Sequence, residues 1–175
     1  VVNGAGNTDI TNGTGNIIVG YDEVDESAPD TCTYGEFVEQ SVCEEGGETW
    51  GPSHKTGSHN VVIGMGHSYS QYAGLVAGQS NVINFLHTSV TGGLNNVASG
   101  SWGHVSGGFN NYASGYYSTV SGGQFNTAEG QFSSVSGGFS NQASGVASSV
   151  SGGTGVGVLN TYDWAAGSLF EGAPE

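Results

Sequence analysis

Ser134-Val135-Ser136-Gly137-Gly138-Phe139-Ser140-Asn141-Gln142-Ala143-Ser144-Gly145-Val146-Ala147-Ser148 is one copy of a word that recurs along the chain. Anchored on Gly138, the word returns at Gly78, Gly93, Gly108, Gly123 and Gly153, each 15 residues from the next, and at Gly64 after a step of 14. Three residues past the anchor stands Asn81, Asn96, Asn111, Asn126 or Asn141. Five past it stands Ile83, Ala98, Ala113, Ala128 or Ala143, and seven past it Gly100, Gly115, Gly130 or Gly145. Several columns in register over successive units are the signature of a repeat architecture.

A 15-residue unit is too short for a helix-pair repeat, which needs about 33 residues or more. It fits one rung of a parallel β-solenoid. The spacing predicts two short strands per rung, Thr/Ser-Val-Ser-Gly and Ala-Ser-Gly-x-x-Ser. The Gly-x-x-Asn corner and the second glycine should turn the chain, since glycine accepts positive φ and asparagine tolerates it. Equivalent residues then stack about 4.8 Å apart.

Val90, Val105, Val120, Val135 and Val150 form one inward column, with Ala98, Ala113, Ala128 and Ala143 facing it. Valine plus alanine is a thin core against the entropy of ordering 15 residues, and association of several chains is the expected remedy. The outward columns agree. Nine past the anchor lie His87, Trp102, Tyr117 and Phe132; one past it lie Leu94, Phe109 and Phe139; four past it lie Val82, Val97 and Tyr112. Apolar ladders on the outside of a rod call for cover. Trp102, Tyr117, Phe132, Phe109 and Phe139 are therefore the expected oligomer interface. Rings stacked on one another in solvent, and a ligand-binding ladder, are the other readings of the same columns.

Composition excludes several classes. The 175 residues include 33 Gly, one Lys, no Arg and 15 acids, giving a net charge of −14. A nucleic-acid binder needs a basic footprint to displace counterions from phosphate. A basic patch for anionic lipid is missing for the same reason. No run is long and apolar enough for a spanning helix. The glycines do not fall every third residue, so collagen is excluded.

The word at 134–148 resembles the head repeats of the YadA-like trimeric autotransporter adhesins. The resemblance covers residues 58–168, with Asn16-Ile17-Ile18-Val19-Gly20 as an isolated earlier rung. It implies a left-handed parallel β-roll assembled from three chains. The sequence shows neither a heptad stalk nor the long amphipathic strands of an outer-membrane anchor. The expectation is a head-like module, or a secreted protein built on one.

Asn16–Gly20 reappears as Asn60-Val61-Val62-Ile63-Gly64, so residues 1–20 are read as N-terminal rungs and 21–58 as an insertion between successive rungs. The β-roll then runs over 59–168 and a cap or tail over 169–175. The insertion carries Asp22, Glu23, Asp25, Glu26, Asp30, Glu36, Glu39, Glu44, Glu45 and Glu48, together with Cys32 and Cys43. One local disulfide suits two nearby cysteines in an oxidising compartment. A two-Cys metal site with His54 and His59, or free thiols, are the other readings. Asp22, Glu23, Asp25 and Glu26 form a weak Ca²⁺ candidate without EF-hand spacing, and a solvated acidic loop is the plainer reading. Trp164, Leu169 and Phe170 look like a cap over the open end of the ladder.

The chain has no Gly-x-Ser-x-Gly elbow, no His-Glu-x-x-His and no phosphate loop, so no catalytic residue and no cofactor is expected. His54, His59, His67, His87 and His104 are read as structural. The sequence thus points to a non-enzymatic structural or adhesive β-roll at a bacterial surface or outside the cell. Its expected partners are copies of itself, as a homotrimeric rod or fibre unit, and a host or matrix glycan or protein. The alternative is a binder of an extended ligand, glycan or ice, along a flat face.

Overall fold

The computed structural model describes residues 4, 10–20, 22–23, 29–33, 39–51 and 54–167. Each repeat unit makes one turn of a parallel β-solenoid. A nine-stranded sheet runs through Ile17–Val19, Val61–Met65, Leu75–Gln79, Ser89–Val90, His104–Val105, Thr119–Val120, Ser134–Val135, Ser149–Val150 and Trp164–Ala165. A seven-stranded sheet runs through Ser68–Tyr69, Val82–Ile83, Val97–Ala98, Tyr112–Ala113, Thr127–Ala128, Gln142–Ala143 and Gly157–Val158. Single parallel bridges join Gln79, Leu94, Phe109, Gln124, Phe139 and Thr154 as a third line of contact between rungs. Ile17 pairs with Val61 and Val19 with Ile63, so the chain leaves the coil after one rung and resumes on the next.

The second strand is shorter and earlier than Ala-Ser-Gly-x-x-Ser. It comprises the residue before the alanine and the alanine itself, and the following Ser-Gly lies in a bend. The second glycine also has a different reason from the one its position suggests. Gly115 is not among the positive-φ glycines. A Cβ there would run into the carbonyl oxygen of Gly130 in the next rung, so the column is glycine because backbones pass too closely for a side chain. The left-handed corner falls two residues later, on His87, Trp102, Tyr117, Phe132 and Ala147, with φ between 53° and 60°. Such a conformation costs a non-glycine residue about 1 kcal/mol or more. Inter-rung bonds hold it, among them Tyr117 N–H to Ser101 O at 2.9 Å and Phe132 N–H to Tyr116 O at 2.8 Å. At the other corner Gly108 does need its φ of 90°.

Val62, Val76, Val90, Val105, Val120, Val135 and Val150 are fully buried, facing Tyr69, Ile83, Ala98, Ala113, Ala128, Ala143 and Val158. The interior is nevertheless not only valine and alanine. Asn81, Asn96, Asn111, Asn126 and Asn141 point inward and are buried to within 1%. None of them takes the left-handed conformation; the sequence reading that placed Asn there for its tolerance of positive φ is corrected by its bonding. Each Oδ1 accepts the backbone N–H of the next asparagine: Asn96 to Asn81 at 2.8 Å, Asn111 to Asn96 at 3.0 Å, Asn126 to Asn111 at 2.9 Å and Asn141 to Asn126 at 3.0 Å. Val156 N–H ends the line on Asn141 at 2.9 Å. Each Nδ2 donates to backbone carbonyls on either side; for Asn111 these are Gly107 and Gly123, both at 2.9 Å. The carboxamide therefore satisfies one carbonyl and one N–H per rung that the corner leaves without backbone partners, and adds a second donor to the next rung's glycine carbonyl, as at Gly123 O, which also accepts Phe109 N–H at 3.0 Å.

The line begins one rung earlier with a different side chain. His67, three past Gly64, is fully buried and does the same work as the asparagines. Its Nδ1 accepts Asn81 N–H at 3.3 Å and its Nε2 donates to Ile63 O at 3.0 Å, which fixes the neutral Nε2–H tautomer. Above it, Asp22 Oδ1 accepts His67 N–H at 2.8 Å, as each Asn Oδ1 does below. Asp22 is 4% exposed and pairs with Lys55, whose Nζ lies 3.1 Å from Oδ2 and also donates to the Asp22 carbonyl. Lys55 is the single Lys or Arg of the chain. Asp22 is thus a buried, paired carboxylate, and the solvated-loop reading fails for it because the ladder's first N–H needs an acceptor.

Two outcomes follow from this line. Asn111→Ala leaves two backbone groups, Gly107 O and Asn126 N–H, without partners in a closed interior and should lower unfolding stability by about 2–4 kcal/mol in urea titration. Burial pushes the His67 pKa below its ordinary 6.5, against the opposing pull of the Ile63 carbonyl and the Asp22 carboxylate. A group whose pKa is lower folded than unfolded contributes stability that is present above the unfolded value and is lost as pH falls below it. The melting temperature should therefore drop as pH falls through 6.5, the ordinary histidine value. His67→Asn, which restores the ladder's usual side chain, should fold and flatten that slope.

Candidate functional site

The nine-past column sits at the left-handed corner, so every ring leaves the coil in the same direction, one rung apart. His87 stacks on Trp102 with centroids 5.3 Å apart, Trp102 on Tyr117 at 5.0 Å and Tyr117 on Phe132 at 5.5 Å, with interplanar angles of 21°, 16° and 10°. Tyr72 meets His87 edge-on at one end, and Tyr116 meets both Trp102 and Tyr117 edge-on. The stack stops at Ala147. Offset and edge-on rings of this kind attract one another beyond the area they bury. The stacked rings remain partly open to solvent: Trp102 is 41%, Tyr117 43% and Phe132 51% exposed.

The opposite corner carries a smaller cluster. Phe109 and Phe139 stand two rungs apart and meet through Phe125, edge-on at 5.5 and 5.8 Å. Phe125 is a site residue that the column reading missed. Its neighbours two past the anchor are Asn95, Asn110 and Ser140, so a lone aromatic leaves no column signal.

The four-past column is covered, but by the chain itself. Val82 and Val97 are buried, whereas Tyr112, one rung on, is 37% exposed. The cover is the insertion. Within it Cys32 and Cys43 are bonded, which removes the thiolate metal site with His54 and His59. Cys43 lies on a short helix, Gln40–Glu45, and Thr31–Cys32 pairs antiparallel with Trp50–Gly51. The module is tied to the coil by Asn84 Nδ2 to Cys32 O at 3.0 Å, Ser70 Oγ to Thr33 O at 2.5 Å and His54 N–H to Ser68 Oγ at 2.9 Å, and His54 Nε2 in turn lies 2.9 Å from Thr31 O. These ladder valines therefore need no second subunit, which corrects the expectation that all outward apolar columns call for one.

A further apolar surface was not singled out from sequence. The outer face of the first sheet opens with Ile17, Val19, Ile63 and Met65, between 43% and 56% exposed. From Thr91 on, the same face carries exposed hydroxyls, one per rung, at Ser106, Ser121, Ser136 and Ser151. The change occurs where the strands shorten from five residues to two, and only a register known from the structure reveals that these positions share a face.

The remaining candidates are dispersed. Of the Ca²⁺ set, Asp22 is committed to Lys55 and to His67 N–H, while Asp25 and Glu26 lie outside the described residues, as do Leu169 and Phe170 of the expected cap. Trp164 is on the last strand, 56% exposed, with its indole N–H on Ser151 Oγ at 2.7 Å. His104 bridges Ser89 and Ser106 through its two ring nitrogens at 2.7 and 3.0 Å. His59 takes a positive φ at the return from the insertion. No group of three or more metal-ligating side chains comes together among the described residues.

The family model of the ubiquitous surface protein adhesin repeat matches residues 104–115 and 133–145. Each match runs from the first-sheet valine through the double glycine, the buried asparagine and the inward alanine to the second glycine. No curated protein matches the chain. No helix among the described residues is long and apolar enough to cross a membrane. The adhesin repeat that these two segments match implies surface or extracellular display and points to a structural role. Together, the repeat matches and the parallel solenoid fit a head repeat of the YadA-like trimeric autotransporter adhesins and support a surface adhesin-like structural module.

Proposed function

We propose that the chain is secreted and forms a homotrimeric adhesive rod or fibre unit, in which the aromatic stack Trp102–Tyr117–Phe132 is the principal contact between subunits. The stack carries the reading. Four successive rungs place rings on one corner, each more open than a folded chain leaves large apolar groups without a use for them. The Phe109–Phe125–Phe139 cluster and the patch of Ile17, Val19, Ile63 and Met65 supply further apolar area on the coil's outside. Ten of the 15 acids fall within residues 21–58, so charge repulsion between copies is concentrated in that stretch and is screened by salt. A repetitive rod lets weak contacts to a host or matrix glycan or protein add through multivalency. Catalysis has no part in this reading.

A second reading, binding of an extended glycan or ice surface, draws on the hydroxyl column Thr91, Ser106, Ser121, Ser136 and Ser151, spaced by the rung repeat. It predicts thermal hysteresis or glycan capture by the wild-type chain, lost when Ser121 and Ser136 become bulky. The first reading predicts no thermal hysteresis, and any glycan capture is then unaffected when Ser121 and Ser136 become bulky.

The test of the trimer is mass in solution by sedimentation together with Tyr117→Asp. The wild type should sediment at three times the chain mass. The variant should split the assembly or lose several kcal/mol, because an unpaired carboxylate would be enclosed at a covered face. A wild-type monomer, or a Tyr117→Asp variant with unchanged mass and melting temperature, contradicts the assembly.

A further inference from the structure

Where the insertion ends along the second sheet, its edge and the sheet's outer face enclose a cleft of about 400 Å³. Trp50 from the insertion and Tyr112 from the coil are its aromatic walls, and Asp30 and Glu129 are its carboxylates. Thr31 and Asn84 line it as well. The Thr31 hydroxyl and Asn84 Oδ1 are buried and have no hydrogen-bond partner. Asn84 is turned by its Nδ2, which is held on Cys32 O, so its free oxygen is an acceptor that lacks a donor. Gln142 Nε2 donates to both Glu129 oxygens at 3.1 Å and Ser144 Oγ donates at 2.9 Å, which fixes the carboxylate without neutralising it. The chain's one Lys or Arg side chain, Lys55, is committed to Asp22.

We infer that this cleft receives a Lys or Arg side chain presented by a partner protein. The ligand chemistry follows from the lining. Aromatic faces and two carboxylates favour a cation, and an apolar stem between the rings adds contact area. Thr31 and Asn84, both lining residues, each keep an oxygen without a partner, and a donor such as ammonium or guanidinium would supply one where the lining gives way to it. The field of a chain at −14 draws such a group in. The cleft is built from a single chain, so the inference stands apart from the trimer reading and from the aromatic stack.

The test is calorimetric titration of the full chain with a short capped peptide carrying one central lysine, and with its arginine and norleucine counterparts. The lysine and arginine peptides should bind saturably at one site per chain, and the norleucine peptide should not. Glu129→Gln and Asp30→Asn should each weaken binding about tenfold, the scale of one charge-assisted contact. Asp163→Asn removes the same charge away from the cleft and should leave affinity unchanged. The inference is overturned if all three variants weaken binding alike, if binding never saturates, if the norleucine peptide binds as well, or if a free polyamine or a neutral oligosaccharide takes the site while the peptides do not.

Discussion

One line of hydrogen bonds inside the coil makes the rest of the structure possible. It starts at Asp22, passes through His67 and five asparagines, and ends on Val156 N–H, one member per rung. A solenoid with two-residue strands has few ladder bonds per turn, and its corners strand backbone groups in the interior. A side chain with one acceptor and one donor group at a fixed depth closes that deficit. Because each carboxamide bonds to the rungs on both sides, it also fixes their register, which valine and alanine packing alone would leave free to slip. Neutral imidazole offers the same acceptor and donor, so His67 substitutes for asparagine in the first complete rung. A carboxylate ends the line because the last acceptor needs no donor, and its charge explains where the chain's one lysine stands.

The insertion follows from that ending. Asp22 is its first described residue, so the segment that leaves the coil begins by closing the ladder. Its disulfide and two-stranded pair then form a small module that shields Val82 and Val97. Beyond it the second sheet is bare, and Tyr112 marks the edge of the shielded zone.

The coil was legible because its rungs repeat. The 15-residue step, the valine and alanine columns and the pairing of Asn16–Gly20 with Asn60–Gly64 are all statements about identical residues recurring at identical places. The buried asparagines were visible as a column but misread, since Asn beside glycine reads equally well as a turn residue. Burial and bonding partners decide between those roles, and neither is in the sequence. Tyr117 illustrates the converse. It was legible as an outward aromatic, but not as a left-handed residue, because local preference favours Gly or Asn there and inter-rung bonds override it. What occurs once was hidden. Phe125 is a lone ring in its column, and the Asp22–Lys55 pair and the cleft beside Trp50 depend on residues brought together across tens of positions, with no repeat to announce them.

Amide exchange followed by NMR tests the ladder most directly. If the asparagine line holds the rungs in register, the backbone N–H groups of Asn96, Asn111, Asn126 and Asn141 exchange as slowly as those of Val105 and Val120. Their side-chain NH₂ protons, donated to carbonyls of the corners, are then resolved and protected too. Side-chain NH₂ protons that exchange at the rate of exposed asparagines, beside strand amides that stay protected, would show that the coil stands without the line and would contradict the account.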